Sequence, residues 1–413
     1  MEIQVQKYGG SSVSSTDKIK RIAQGIVDQA HRNPNLGLIV VVSAMGNTTD
    51  KLIKMAQDVN ANPSDREMDM LLSTGEQVSI SLLAMAIEAL GHPVISLTAP
   101  QVGIRTTGIY KKAKILEVNA SRLLSELEKG KIVIVAGFQG VTENDDITTL
   151  GRGGSDTTAV AIAGALKASK CDICTDIDGV YTADPRIVSN ARKLKEISYD
   201  EMLEMATLGA KVLHPRSVEL AMSYNIPLEV RSSFSKAEGT IVKGAMKMEE
   251  ILRVSGVTHD KNISEIAVLG VPDIPGIAFQ VFSTLDEHNI SVDTIIQSVR
   301  KEHVNDISFT VKEDDLAKAV EVLEKLIQEL GGQGVEYYQQ VAKVSVIGAG
   351  LINKSKVARA MFQALSEEGI NIRMISSSEI KLSCLINADQ VEIAVKSVHD
   401  KFVLNGIEIT HKD

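Results

Sequence analysis

The chain has 413 residues, enough for two to three domains and a large core. A hydrophobic share of 44% and a charged share of 23% suit a soluble globular protein, and a net charge of −9 argues against nucleic acid or an anionic membrane as partner. Aromatic residues make up 3% with no tryptophan, which speaks against a platform for stacking bases.

Met1-Glu2-Ile3-Gln4-Val5 reads as a strand, not as a basic segment followed by an apolar one, so no signal peptide is expected. The strand ends in Lys7-Tyr8-Gly9-Gly10-Ser11-Ser12, and a helical pattern follows. This resembles a phosphate-binding strand–loop–helix, with Lys7 pointing inward and the Gly9 and Gly10 amides facing the phosphoryl group. It is not a P-loop, because the lysine precedes the glycines.

Up to about residue 235, strand and helix patterns alternate. Strands are predicted at Ile3–Gln6, Leu38–Val42, Val94–Leu97, Ile132–Ala136, Cys171–Thr175 and Pro227–Val230. Helices are predicted at Lys18–Ala30, Asp50–Asp58, Arg66–Leu90, Ala113–Glu128, Thr157–Ala168, Tyr199–Thr207 and Arg216–Tyr224. Apolar runs such as Leu36–Val42 are of strand length, and the apolar Met68–Leu90 region is interrupted by Ser73-Thr74-Gly75-Glu76-Gln77. No membrane span is expected, and a cytoplasmic location follows. The pattern implies an α/β domain, a largely parallel sheet covered by helices on both faces, with ligands at the carboxyl ends of the strands.

Leu150-Gly151-Arg152-Gly153-Gly154-Ser155-Asp156-Thr157-Thr158 is the most informative stretch. Glycines let backbone N–H groups approach an anion. Ser155, Asp156 and Thr157 are good N-cap types, so a helix is expected to open there and present free N–H groups and a positive dipole end. Arg152 can hold a planar carboxylate with two parallel hydrogen bonds. A loop that takes both a phosphate and a carboxylate suggests a kinase acting on an acid.

Cys171-Asp172-Ile173-Cys174 is a lone pair of cysteines in an apolar strand, and no second pair stands at zinc-ligand spacing. Reduced thiols packed in a strand are expected, and no metal-ligating residue is assigned. Ser232 to Met248 mixes Ser, Lys, Glu and Gly without a period and reads as a linker. Beyond it lies a repeat: Ala267-Val268-Leu269-Gly270, Val281-Phe282 and Asn289-Ile290-Ser291-Val292 are echoed by Ser345-Val346-Ile347-Gly348, Met361-Phe362 and Gly369-Ile370-Asn371-Ile372. Each copy reads strand–helix–strand–strand–helix–strand, a ferredoxin-like pattern. Val346-Ile347-Gly348-Ala349-Gly350 hints at a dinucleotide-binding start, but position 353 is Asn where the third glycine belongs.

Taken in order, the motifs resemble the aspartokinases of the amino acid kinase superfamily. The matching stretches are Lys7–Val13, Val41–Asp50, Ser73–Gln77, Gly137–Gly140, Leu150–Thr158, Thr175–Arg186 and Gly209–Pro215. They span essentially the whole chain and are most like the monofunctional bacterial members with lysine and threonine feedback. The resemblance implies an amino acid kinase-like sheet at 1–235, a linker at 236–258 that holds a strand of the second module, and two ACT modules, at 259–336 and 337–413.

It also implies the chemistry. ATP, with Mg²⁺ bridging its phosphate oxygens, would phosphorylate L-aspartate. Lys7 and Asp156 are the expected catalytic residues, Lys7 neutralising charge and Asp156 orienting lysines. The ATP side would be Lys7, Tyr8, Gly9, Gly10, Thr175, Asp176, Tyr181, Asp184, Arg186 and Lys211. Aspartate would meet Glu76 through its ammonium, Arg152 through its α-carboxylate, and the hydroxyls of Ser43 and Thr49, with Thr48 competing for the last place. The expected effector residues are Asp273, Ile274, Gly276, Ala278, Val292 and Gln297 in the first module and Asn371 and Ile372 in the second. Asn353-Lys354-Ser355-Lys356-Val357-Ala358 stands where relatives often carry a Pro-Gly pair, so the first module is expected to hold the principal effector site. Lysine, threonine or both would be the effectors, and ACT modules would pair the chain into a homodimer or an α2β2 assembly. An acetylglutamate kinase and a catalytically dead amino-acid sensor are the alternatives.

Overall fold

The computed structural model describes residues 1–210, 212–235, 237–244, 254–299, 304–348, 351 and 354–404. The chain forms two compact units. One comprises Met1–Tyr181 and Arg192–Glu249, the other Thr182–Ala191 and Glu250–Asp413.

In the first unit the elements run β1 (Glu2–Tyr8), α1 (Thr16–Arg32), β2 (Leu36–Val42), α2 (Thr48–Val59), α3 (Asp65–Leu72), α4 (Thr74–Glu88), β3 (Val94–Leu97) and α5 (Ala99–Val102). They continue with β4 (Ile104–Thr106), β5 (Ile115–Val118), α6 (Ser121–Glu128), β6 (Ile132–Ala136), β7 (Gln139–Val141), β8 (Ile147–Thr149), α7 (Gly154–Ala165) and β9 (Lys170–Thr175). After the excursion of 182–191 come β10 (Glu196–Ser198), α8 (Tyr199–Thr207), α9 (Pro215–Tyr224), β11 (Leu228–Ser232) and β12 (Thr240–Lys243).

The main sheet has the order β10-β12-β11-β9-β1-β2-β6-β3 and is parallel except where β12 runs against β11. Its central strands are apolar on both faces: Leu38–Val42 and Ile132–Ala136 are buried throughout, as helices on either side require. The strands β1, β2, β6 and β9 end together at Tyr8, Val42, Ala136 and Thr175, so the loops that follow them gather at one edge. A smaller sheet, β5-β4-β7-β8, flanks that edge. The stretch Asp65–Glu88 has the length and composition of a membrane span, and half of its apolar window is buried inside the protein. It forms two helices that break at Ser73 and sink Met68, Leu72, Ile80, Leu83 and Ile87 into the unit.

The second unit contains β13 (Gly256–Pro272), α10 (Ile277–Glu287), β14 (Val292–Val299), β15 (Val304–Lys312), α11 (Leu316–Leu330), β16 (Gly334–Ile347), α12 (Lys354–Glu367), β17 (Met374–Ser377), β18 (Lys381–Asn387) and α13 (Val391–His399). They build one six-stranded sheet, β14-β15-β13-β16-β18-β17. The two long strands serve both repeats. Glu265–Leu269 pairs with Gly334–Tyr338 in the first copy, and Gly256–Asp260 pairs with Lys343–Ile347 in the second. One core gathers Ile266, Val281, Leu285, Phe309 and Leu323, and a second gathers Val257, Val344, Met361, Leu365 and Val395. Ala183 and Val188 of the 182–191 excursion are part of the second core. There Val257 N–H donates to the Thr182 carbonyl at 2.8 Å, and the Thr182 hydroxyl lies 2.9 Å from His399 Nε2.

Three expectations need correction. Ala113–Glu128 is not one helix: Ile115–Val118 is strand β5, paired with β4, and the helix begins at Ser121. The Ser232–Met248 break contains strand β12, which folds back on β11. The helix of the glycine loop opens at Gly154, not at Ser155–Thr157, because its N-cap is Gly153 in the left-handed conformation (φ 70°). The expected upstream strand of the second module is present: Gly256–Asp260 completes the sheet of the copy that follows it, running past the expected end at residue 258.

Candidate active site

The loops at the carboxyl edge of the main sheet meet closely, and glycine makes the closeness feasible. A Cβ on Gly10 would stand 2.7 Å from the Ala44 carbonyl oxygen, and one on Gly137 would stand 2.7 Å from the Ser155 side chain. Gly46 N–H donates to the Gly10 carbonyl, and Ser43 N–H to the Tyr8 carbonyl.

Lys7, near the end of β1, reaches Asp156 in the first turn of α7, with Nζ 2.5 Å from Oδ1, and both side chains are only 11% exposed. Around this ion pair the Ser155 and Asp156 N–H groups have no hydrogen-bond partner among the described residues, nor does that of Gly10. Three unused amides, a helix N-terminus and a lysine make an anion site. The Gly9 N–H departs from expectation: it donates to the Cys174 carbonyl at 3.2 Å, so of the two glycine amides only that of Gly10 is available.

Glu76 lies in the first turn of α4 and is 3% exposed. Its Oε1 accepts from Ala44 N–H at 3.0 Å, while Oε2 is buried without a partner. Burial pushes its pKa up to about 8, against the pull of the Ala44 amide. Such a carboxylate is costly unless a cation reaches it. Ser43 follows β2 and Thr49 lies in the first turn of α2, both half-buried. The Thr48 hydroxyl donates to the Met45 carbonyl at 2.6 Å, whereas the Thr49 hydroxyl has no partner among the described residues, which favours Thr49 as the donor to a ligand.

Arg152 is exposed, with no ion pair or hydrogen bond among the described residues. Its loop is packed tightly: a Cβ on Gly151 would lie 2.8 Å from the Lys111 carbonyl oxygen, one on Gly153 would collide with the His214 ring, and one on Gly154 would lie 2.9 Å from Phe138. Phe138 holds a positive φ of 70°, unusual for a bulky residue. Sequence reading did not single out His214 or Phe138 for a contact role.

Among the residues expected at the nucleotide, the Thr175 hydroxyl donates to Asp176 at 3.1 Å and the Tyr181 hydroxyl to Asp178 at 2.9 Å. Asp184 and Arg186 belong to the second unit, where the guanidinium holds the Asp184 carboxyl below its usual range. Lys211 lies outside the described residues. Among the described residues no group of three His, Cys, Asp or Glu side chains forms a metal cluster. Cys171, Cys174 and Cys384 are buried free thiols.

In the second unit, Asp273 to Gly276 form the exposed turn before α10, with Gly276 (φ 101°) as N-cap. Asp273 Oδ1 accepts from the buried Asn305 amide at 2.8 Å. Ile274 and Ala278 are exposed beside it, and Val292 and Gln297 lie on β14. Asn371 and Ile372 precede β17 in the other repeat, and Asn353 lies outside the described residues.

Comparison with known proteins fits this geometry. The model of the amino acid kinase family matches residues 2–232, and ACT domain models match 265–328 and 344–402. An aspartokinase of Bacillus sp. (strain MGA3) is 49% identical over 98% of both chains, and one of Mycolicibacterium smegmatis is 48% identical over 98% of this chain and 97% of its own. The chain belongs to the aspartokinase family. Among solved structures of the family, E. coli aspartokinase III in complex with aspartate and ADP (R-state) superimposes with a TM-score of 0.82 at 30% identity, covering 97% of this chain and 99% of its own. The same enzyme with lysine and aspartate (T-state) superimposes with a TM-score of 0.72 at 29% identity, covering 98% of this chain and all of its own. The family's architecture is therefore present here in full: an amino acid kinase domain followed by two ACT domains.

Proposed function

We propose that the chain transfers the γ-phosphoryl group of ATP to the side-chain carboxylate of L-aspartate, giving 4-phospho-L-aspartate and ADP, the first step toward lysine, threonine and methionine. The observation that carries the reading is Glu76. One of its buried oxygens is held by the Ala44 amide and the other is unpartnered, as a receptor for a substrate ammonium requires.

Arg152 takes the α-carboxylate in a bidentate pair, and Ser43 and Thr49 donate hydroxyls. The side-chain carboxylate is already ionised at neutral pH, so its oxygen attacks phosphorus without a general base. The bond to the ADP oxygen breaks as the new one forms. Protein groups need only position the reactants in line and stabilise charge on the transferring group. Lys7 and the free amides of Gly10, Ser155 and Asp156 do this, and Asp156 fixes the Lys7 ammonium at 2.5 Å. Tyr8, Gly9, Thr175, Asp176, Tyr181, Asp184, Arg186 and Lys211 are assigned to the nucleotide. Mg²⁺ would come with the nucleotide and supply charge neutralisation on the phosphates; no described residue is assigned to hold it.

The domains are assigned as 1–235 for the kinase, 236–258 for a linker with a shared strand, and 259–336 and 337–413 for the ACT modules. Lysine or threonine inhibits by binding at paired ACT modules of a homodimer or an α2β2 assembly, and the enzyme works in the cytoplasm. The lysine and aspartate bound to the E. coli relative support this regulation.

An acetylglutamate kinase is disfavoured because an acylated amino group carries no charge to offer Glu76. Coupled ADP release decides the matter: it is expected with ATP and L-aspartate. Release with acetylglutamate alone, or with no acceptor, would overturn the assignment.

A further inference from the structure

Arg152 is aimed by its backbone alone, because its guanidinium has no protein partner among the described residues. That backbone is built from Gly151, Gly153 and Gly154, the residue type with the most conformational freedom to lose. A loop of this kind holds a position only if its flanks are anchored.

Two side chains from distant helices provide the anchors. Asp69 of α3 is fully buried and accepts from Thr149 N–H at 2.8 Å, the Thr149 hydroxyl at 2.6 Å and Lys111 N–H at 2.9 Å. Arg216 in the first turn of α9 donates to the Leu150 carbonyl at 2.7 Å and the Ala113 carbonyl at 3.0 Å. Ala113 N–H in turn donates to the Thr149 carbonyl at 3.0 Å. A carboxylate and a guanidinium thus grip the same two segments, 111–113 and 149–150, from opposite sides in hydrogen-bonding sense. Hydrogen bonds to ionised groups are about twice as strong as neutral ones. Arg152 follows two residues after Leu150.

We propose that Asp69 and Arg216 are positioning residues for the reaction: they hold the Gly151–Gly154 loop, and with it Arg152, in register for the aspartate carboxylate. The proposal rests on Arg152 as the aspartate clamp. It also gives the Gly209–Pro215 motif a purpose beyond the nucleotide, since the motif leads directly into Arg216 and places the His214 ring against Gly153.

Steady-state kinetics of the full chain test it, with Arg216→Ala, Arg216→Lys, Asp69→Asn and Arg152→Lys measured together. A displaced reacting group costs up to about a hundredfold in rate. Arg216→Ala is therefore expected to raise the aspartate KM by roughly tenfold or more while the ATP KM stays within about twofold. Arg216→Lys, or methylguanidinium added to the alanine variant, should restore part of the loss. Trypsin cleavage after Arg152, followed by mass spectrometry, should accelerate severalfold in Arg216→Ala relative to other sites. Wild-type aspartate kinetics in Arg216→Ala, or equal losses for both substrates, would overturn the proposal. Should the alanine variant fail to fold, Asp69→Asn and Arg216→Lys decide by the same split. If Arg152→Lys leaves the aspartate KM unchanged, the clamp reading fails instead, and the brace then stands or falls on the cleavage rate alone.

Discussion

At the scale of single residues, Glu76 gives the sharpest consequences. Its pKa of about 8, against an ordinary 4.5, means that the folded chain holds a proton there which the unfolded chain has already released. Unfolding is then favoured by rising pH: this contribution to stability is complete below about 4.5 and lost as pH climbs through 8. In that window the loss is about 1.4 kcal/mol per pH unit. Glu76→Gln carries no such proton, so its thermal midpoint should fall less than that of the parent between pH 5 and 8.5, and parallel curves would refute the assignment. A bound ammonium should reverse the shift. Aspartate binding at pH 7 should therefore release close to one proton per site, measured by calorimetry in buffers of different ionisation enthalpy. The role proposed for Lys7 lies in the transition state instead. Lys7→Ala should lower kcat by about a hundredfold to a thousandfold with an unchanged circular dichroism spectrum, and near-normal turnover would remove Lys7 from the mechanism. The sequence placed Lys7 beside Asp156 only by resemblance. Asp69 and Arg216 were not legible at all, because their partners, mostly main-chain atoms, lie 42 to 103 residues away.

At the scale of elements, local pattern carried the parallel core well. Val94–Leu97, Ile132–Ala136 and Tyr199–Thr207 lie where periodicity and flanking residues put them, because continuous apolar runs and capped amphipathic stretches are local signals. Ser198 and Glu201 even complete a capping box at the last of these. Strand β5 was missed because Ile115–Val118 is a strand only by virtue of its pairing with Ile104–Thr106, which no window of sequence contains. Strand β12 was missed for the same reason: Thr240 is fully buried by its neighbours, yet in sequence only Ile241-Val242 beside it are apolar, too short a run to mark a strand. Glycines separate the two kinds of information experimentally. Gly153 has φ 70° and faces the His214 ring, so Gly153→Ala should destabilise the chain by roughly 2–5 kcal/mol in urea unfolding. Gly25, exposed in the interior of α1 with open space around it, is the control. Gly25→Ala should instead stabilise by about 0.5–1 kcal/mol. Equal effects at the two positions would mean that the tight approach of α9 to the glycine loop is absent in solution.

At the scale of the molecule, the chain enters the regulatory unit twice, once for the ACT repeats and once for Thr182–Ala191. That short segment carries Asp184 and Arg186, and it is fixed by Ala183 and Val188 in an ACT core and by the Thr182–His399 contact. Two residues proposed for the nucleotide thus lie on a segment that packs within the ACT-containing unit. Inhibition then requires an effector that binds one arrangement better than the other; a hundredfold preference corresponds to about 2.7 kcal/mol. Asp273, expected from the sequence to meet an effector ammonium, lies at the exposed turn before α10. Its Oδ1 also satisfies the buried Asn305 amide, so truncation to alanine would confound regulation with stability. Asp273→Asn keeps an acceptor for Asn305 and removes the charge. The half-inhibitory concentration of whichever of lysine or threonine inhibits the parent should rise about tenfold or more, equivalent to about 1.4 kcal/mol, while uninhibited turnover stays within about twofold. If Asp273→Asn is inhibited at parental concentrations and substitution of Ala358 abolishes the response instead, the effector site lies in the second repeat, not the first.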